Sequence, residues 1–485
     1  MHDIQTIKIN LPGGIVSPGS LREILTVAHN AKVRHVHFGS RGQLIFRVNG
    51  EKVRFLERDL KIKQIRYELN ADQYPNIVTS YCAEEVFRTG LWLHESEYHT
   101  VLDGFDYVPK LKINISDANQ SFTPFFTGNL NFIASPEPHF WYLYVRPKQS
   151  NALFRWRDLI YTNDVARIAY ALEQVLLDPQ STGQSEAELY REISRNNSFI
   201  TQPAVQEVEL PDFTLPYYEG FNRYGQRSWL GLYRRDEQFP IPFLLDVCEL
   251  CLETRVGEIC TTPWKSLIVK GIEEKDRPEW SRILSRHNIN VRHAANELAW
   301  QTEDHNAEGV DLKKYILRYF EKHDTRTFGL CFGVQTRDKS EVFGSILIRK
   351  RPTVKLGKLE LLPVYDLYFT ENYNPNSRRY FPYEKGLMKN HLPNQLDRLC
   401  RKFNASRQTP KAAPIQAAEK TADCAQHEQY QCPHCFTIYD ERYGDERAEI
   451  APGQSFASLP DEYLCPTCDA AKSEFVKQET GEVMA

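Results

Sequence analysis

Val36-His37-Phe38-Gly39-Ser40-Arg41-Gly42-Gln43-Leu44 reads as two short strands joined by a tight turn, because apolar residues flank a Gly-Ser-Arg-Gly tetrad. About 220 residues later the chain returns to the same pattern as Ile259-Cys260-Thr261-Thr262-Pro263-Trp264-Lys265-Ser266-Leu267. The surroundings repeat as well. Before the first hairpin, Ser17 is placed as an N-cap with Pro18 at the first helical position, and Leu21, Ile24, Leu25 and Ala28 follow at helical spacing. Before the second, residues 227–233 read as a strand and Pro240-Ile241-Pro242 opens a helix bearing Leu244, Val247, Cys248 and Cys251. Self-similarity at this distance means duplicated, domain-sized units rather than a solenoid.

The chain has 485 residues, too many for one core by the usual scaling of domains. Sixty basic against sixty-four acidic residues leave a net charge of -4, which argues against a nucleic-acid coat or a polybasic membrane binder. No apolar run approaches the roughly 18 residues of a membrane helix, and Met1-His2-Asp3-Ile4-Gln5 lacks the pattern of a signal peptide. A soluble, cytoplasmic protein is expected. In that compartment clustered cysteines point to metal rather than to disulfides, and four of the eleven form two close pairs near the end of the chain.

Those pairs follow a stretch, 402–429, that loses hydrophobic periodicity and turns to Ala, Gln, Lys and Pro. It reads as a flexible linker spanning on the order of 25–30 Å, enough for a small domain to move between docking sites. Then come Cys432-Pro433-His434-Cys435 and Cys465-Pro466-Thr467-Cys468. Each Cys-x-x-Cys turn presents two thiolates to one ion, and two such turns complete a tetrahedral shell of four sulfurs, for zinc or for iron. Between and after them lie Tyr439, Ile450-Ala451-Pro452-Gly453, Phe456, Leu459-Pro460-Asp461, Tyr463, Ala471-Lys472 and Phe475. A segment this small forms a core only by massing aromatics around the metal.

With both Cys-Pro-x-Cys turns, the Ala-Pro-Gly-x-x-Phe turn and the Leu-Pro-Asp lead-in, residues 430–477 resemble a rubredoxin. The resemblance implies one iron held by Cys432, Cys435, Cys465 and Cys468 and passing one electron between ferric and ferrous states. Two positions depart from it: Phe436 and Asp469 stand where rubredoxins usually carry glycine. Asp440, Glu441, Asp445, Glu446, Glu449, Asp461, Glu462, Asp469 and Glu474 outnumber Arg442, Arg447, Lys472 and Lys477, so the domain either steers toward a basic redox partner or is simply well solvated.

The two hairpins, and Thr-Pro-Trp-Lys above all, resemble the ferredoxin-like half-repeats of the nitrite and sulfite reductase family, sirohaem enzymes in which each half-repeat is followed by a larger α/β domain. That resemblance implies an α+β fold: half-repeat 1 over 1–70, an α/β domain over 71–210, half-repeat 2 over 211–290, a second α/β domain over 291–401, then the linker and the rubredoxin domain. The family's paired cysteine motifs are missing. Asp117-Ala118-Asn119-Gln120-Ser121-Phe122 follows the strand 111–116, Ala294-Ala295-Asn296-Glu297-Leu298-Ala299-Trp300 has no cysteine, and Thr327-Phe328-Gly329-Leu330-Cys331-Phe332-Gly333 keeps one. A thiolate-bound four-iron cluster needs four ligands, so none is expected. Of the basic groups that meet the acidic edge of sirohaem in the family, Arg41 and Lys265 remain as candidates for a vestigial tetrapyrrole cleft, while His37 and Cys260 replace expected arginines. Sirohaem retention is thereby in doubt.

Other patterns have plainer readings. Cys248-Glu249-Leu250-Cys251 lies in an apolar helical run, where both sulfurs act as small hydrophobes. In His94-Glu95-Ser96-Glu97-Tyr98-His99 the histidines are five apart, one too many for a zinc helix. His35 and His37 fall on one side of a strand. There is no phosphate-binding glycine loop or dinucleotide fingerprint, so electrons must come from a partner.

The sequence therefore implies an electron-transfer protein with no catalytic residue of its own. Its degenerate body would be a docking module, and its partners would be a reductase upstream and a nitrate or nitrite reductase downstream, with no nucleic acid and no membrane. The alternatives are an active sirohaem-type nitrite or sulfite reductase, with its tetrapyrrole on Cys331 or Cys82 and fed by its own rubredoxin domain, and a zinc-containing scaffold. Within the rubredoxin reading, Asp469 adds negative charge beside the iron and favours the ferric state. Replacing Phe436→Gly and Asp469→Gly together should raise the midpoint potential measured by protein-film voltammetry; an unchanged potential contradicts the assigned influence of these two positions.

Overall fold

The computed structural model describes residues 4–87, 92–147, 153–178, 185–337, 340–351, 355–356, 359–360, 363–377, 379–408, 428–434, 437–445, 448, 450–451, 453–466 and 470–478. The chain divides into two compact units, 1–409 and 410–485. No helix among the described residues is long and apolar enough to cross a membrane.

The duplication seen in the hairpins extends through the whole first unit. Ser17 caps the helix Pro18–Asn30 by accepting from Ser20 N at 3.1 Å, and the strands His35–Phe38 and Leu44–Asn49 follow, then the helix Gly50–Ile62. In the second copy the helix Ile241–Glu253 opens on Pro240, and the strands Ile259–Thr261 and Leu267–Glu273 lead to the helix Arg277–Arg286. Each copy builds a five-stranded antiparallel sheet, and each sheet borrows an edge from the other copy. Phe239 and Pro240 pair with Val36 and His35, while Val16 and Ile15 pair with Ile259 and Cys260. The two long helices pack on one another over a common core that includes Leu21, Leu25, Phe38, Leu244, Val247, Cys248 and Cys251. Burial pushes the Cys248 thiol up to about 12, as fits a packed hydrophobe rather than a redox pair.

The larger pieces repeat one another too. In the first, Val78–Thr79, Ile113–Ser116 and Leu130–Ala134 run parallel, and Phe140–Val145 and Asp158–Tyr161 then continue the sheet antiparallel. In the second, Trp300–Thr302, Phe332–Gln335 and Ile346–Lys350 are parallel, followed by antiparallel Val364–Thr370 and Tyr380–Met388. Central strands such as Ile113–Ser116, Leu130–Ala134 and Phe332–Gln335 are buried at every position because both faces are covered. The fold is thus the α+β architecture implied by the paired hairpins. The segment expected to be a flexible linker from residue 402 is still helical there, since the helix Leu392–Gln408 buries Leu396, Leu399, Cys400 and Phe403. Residues 409–427 lie outside the described residues.

The second unit holds a three-stranded antiparallel sheet with Gln429–Gln431 in the middle, flanked by Ile438–Asp440 and Val476–Gln478. Its core is mostly aromatic: Tyr439, Ile450, Phe456, Leu459 and Tyr463 are buried, with Tyr430 and Phe475 against them. Tyr430 stacks on Phe456 with ring centroids 4.1 Å apart. Gly444, at φ +65°, has no room for a side chain, which would run into the Ile450 carbonyl.

Candidate functional site

Two places carry the chemistry the sequence pointed to. In the small unit, Cys432 and Cys465 are both fully buried and meet in one cluster with Ala470 and Phe475. The first cysteines of the two turns, far apart in sequence, thus face the same spot. Each heads a short loop closed by its own backbone: Cys432 N donates to Thr437 O at 2.9 Å, and Cys465 N to Ala470 O at 2.8 Å. Cys435, Phe436, Cys468 and Asp469 lie outside the described residues. Soft sulfur donors shielded by aromatic side chains suit a thiolate-bound iron or zinc, so the residues present fit the implied metal.

Three of the acidic residues counted in the sequence have structural partners within the domain. Asp440 is buried and held by Arg442 and Gln429, Glu441 accepts from Phe456 N at 2.9 Å, and Asp445 accepts from Tyr463 OH at 2.9 Å. These three build the domain. Asp461 and Glu462 are exposed, and Glu446 and Glu449 are outside the described residues.

The second place is the pair of hairpin turns in the body. They are superposable turns: Gly39 N donates to Gln43 O and Gly42 N to Gly39 O, as Thr262 N does to Ser266 O and Lys265 N to Thr262 O. Arg41 is therefore the counterpart of Trp264, and Gly42 (φ +74°) the counterpart of Lys265 (φ +56°). The two basic residues singled out from the sequence do not occupy equivalent positions. Neither is on an exposed turn: Arg41 is 6% and Lys265 3% exposed.

Both are taken up by protein. Arg41 donates through Nε and Nη2 to Asn76 O, and through Nη2 to Ile113 O and Asn114 Oδ1, which ties the hairpin to the first parallel sheet. Nη1 alone lacks an acceptor, and burial lowers the guanidinium to about 10. Trp264 makes the matching tie by donating from Nε1 to Phe122 O at 2.9 Å. Lys265 Nζ lies 2.8 Å from Glu237 Oε2, 3.0 Å from Thr302 Oγ1 and 3.4 Å from Asp304 Oδ1. His37, 1% exposed, spans the same two acids: Nδ1 is 3.0 Å from Glu237 O, and Nε2 is 3.5 Å from Asp304 Oδ1. His35, its neighbour on the strand, stays exposed. Behind this group, buried Lys313 is lowered to about 8 by burial and donates to Tyr233 OH at 2.6 Å.

A polyacidic tetrapyrrole does not fit these residues. It would have to displace Glu237 and Asp304 from Lys265 and would bring further negative charge to two carboxylates already there. Nor do the remaining thiols offer axial ligands. Cys82 and Cys331 are buried, burial raises them to about 11 and about 12, and their sulfurs face Thr123 and Ser345 hydroxyls. Sequence reading missed Glu237 and Asp304 because each is an ordinary charged residue in a loop; the run Glu303-Asp304-His305 after a buried strand was the available signal.

The small unit brings two buried cysteines together beside Phe475 and an aromatic core, and the body is a duplicated α+β scaffold. Comparison with known proteins gives the small unit sequence relatives and the body a likeness of fold. The rubredoxin family model matches residues 429–475. The probable rubredoxin HupI of Bradyrhizobium diazoefficiens is 52% identical over 50 residues, which are 10% of this chain and 72% of that protein. Rubredoxin-2 of Chlorobaculum tepidum is 48% identical over 50 residues, 10% of this chain and 96% of its own. Through this C-terminal domain the chain belongs to the rubredoxin family, which implies an iron centre with cysteine ligands. The solved structure of the Mycobacterium tuberculosis NirA protein superposes with a TM-score of 0.62 over 84% of this chain and 82% of that one, at 13% identity, a likeness of fold alone.

Burial alone would push the Glu237 and Asp304 carboxyls up, but the Lys265 ammonium, helped by His37, overrides it and holds both below ordinary carboxylate values. Groups with depressed folded values stabilise fully above about pH 4 and lose that contribution as pH falls through the folded values. Lys265→Met should therefore destabilise the body by about 3–5 kcal/mol near neutral pH. The deficit should shrink on acidification, as the stranded carboxyls protonate. Urea denaturation followed by tryptophan fluorescence at two pH values checks both the size and the sign.

Proposed function

We propose that this protein is a one-electron carrier in which Cys432, Cys435, Cys465 and Cys468 hold a single iron, and that its NirA-like body is a docking module for redox partners of nitrate or nitrite assimilation. The observation that carries the first half is the meeting of buried Cys432 and Cys465 beside Phe475 in a rubredoxin-family domain. Bound there, iron supplies a one-electron ferric–ferrous couple. The chain's own residues do the rest. Phe475 packs against both the cysteine pair and the aromatic core, and the backbone loops at Cys432 and Cys465 fix the positions of the thiolates. The second half is supported by the body's hairpins, where Lys265 and Arg41 are spent on Glu237, Asp304 and backbone carbonyls rather than left for an anionic cofactor.

Such a carrier takes up and returns one electron per chain and reduces neither nitrite nor sulfite. Stoichiometric reductive titration should reach its end point at one electron, and with reduced methyl viologen the protein should give no turnover of either anion. Sustained turnover would overturn the carrier reading in favour of a sirohaem-type reductase, and a redox-silent protein would favour a zinc scaffold.

A further inference from the structure

The stretch His94-Glu95-Ser96-Glu97-Tyr98-His99 fails as a two-histidine zinc helix, yet the structure makes a different use of it. The helix Glu95–Asp103 begins after His94, so the pair one turn apart on its surface is Glu95 and His99. Glu258, in the loop before the strand Ile259–Thr261, comes from the other half of the duplicated body to join them. His99 Nε2 is 3.3 Å from Glu258 Oε1 and 4.0 Å from Glu95 Oε1, and one donor atom from each residue lies within 4.8 Å of the other two.

We propose that Glu95, His99 and Glu258 form a binding site for a divalent transition-metal ion of the zinc type, with its remaining positions open to water. An ion with ligand bonds of about 2.0–2.2 Å holds neighbouring donors roughly 3–3.5 Å apart. His99 and Glu258 already have that spacing at 3.3 Å, and Glu95, on an exposed side chain 4.0 Å from His99, needs to move in by no more than about 1 Å. One imidazole with two carboxylates is a donor set for zinc and its first-row neighbours rather than for a thiolate-seeking or all-oxygen-seeking ion. The charge arrangement asks for such an ion. Both carboxylates converge on the same imidazole nitrogen, and a single N–H there can satisfy only one of them, whereas a dication between the three balances both. The near cation, Lys270, is engaged elsewhere: its Nζ lies 3.6 Å from Glu84 and 4.0 Å over the Tyr81 ring.

The site is also held from behind. Tyr81, buried in the core, donates its hydroxyl to Glu258 Oε2 at 2.5 Å, which leaves Oε1 turned toward His99. The three ligating side chains are 63%, 39% and 28% exposed for Glu95, His99 and Glu258, so an ion reaches them from solvent. Bound there, the ion would pin the helix of the first α/β piece to the second half-repeat.

The test is zinc titration of the iron-loaded full-length protein against a chromophoric chelator, with the visible bands of the iron–thiolate centre followed to show that they stay constant. The expected result is one zinc per chain beyond the iron and a higher Tm for the body in its presence. Glu95→Gln, a largely exposed change that leaves the fold alone, should weaken zinc binding by at least about tenfold, and His99→Ala should abolish it. Failure of the wild-type protein to take up zinc beyond its iron, or equal affinity in wild type and Glu95→Gln, would overturn the assignment. Neither result depends on what the rubredoxin domain exchanges electrons with.

Discussion

A charge removed from water must be paired, and in this protein that constraint falls on Lys265. Its ammonium sits at the centre of the body with Glu237 on one side and Asp304 on the other, and His37 bridges the same acids. The pairing joins elements that are otherwise distant: the two hairpin turns, the loop before the helix Ile241–Glu253, and the loop after the strand Trp300–Thr302. Ser40 N and Gln43 Nε2 also reach Asp304, so the first hairpin is anchored to the same group. Lys265 adopts a left-handed backbone to do this, a conformation that costs about 1–3 kcal/mol and persists where the surroundings fix it. The equivalent position in the first hairpin is Gly42, which meets no such cost.

That network ties pieces of the duplicated scaffold together through the protein's own side chains. In a fold assembled from four pieces, a ligand at the junction supplies contacts and counter-charges. Here the pieces supply their own: Arg41 and Trp264 tie each hairpin to backbone carbonyls of the first α/β piece, and the central cation brings its own anions. The small domain solves the opposite problem. Too short to bury a large core, it gathers five aromatic rings and encloses Cys432 and Cys465 beside them, so its packing and its metal chemistry depend on the same residues.

Much of this was legible in the sequence, and what was missed has physical reasons. Ser17-Pro18, Pro240-Ile241-Pro242 and the repeated hairpins announced the half-repeats because capping and turn chemistry are local. The rubredoxin domain was legible for the same reason, from the spacing of its two Cys-x-x-Cys stretches and the aromatics between them. The strand exchange between the halves was not, since Ile15–Val16 and Phe239–Pro240 are two residues long and leave no periodic trace. Partners that arise only by tertiary approach were also hidden: Glu237 and Asp304 for Lys265, Asn76 for Arg41, and Glu258 for His99. His94 and His99, five apart, share no face of the helix Glu95–Asp103, whereas Glu95 and His99, four apart, do. Composition also could not tell a solvated carboxylate of the rubredoxin domain from one, such as Asp440 or Asp445, that holds a loop by a hydrogen bond.

The proposed carrier function requires redox chemistry in the small thiolate-bound centre and no tetrapyrrole in the body. Metal analysis combined with the visible spectrum of the natively purified full-length protein tests it most directly. One iron per chain is expected, with charge-transfer bands of an iron–thiolate centre that bleach on reduction and no tetrapyrrole absorption. A Soret-type band, or iron in excess of one per chain, would contradict it.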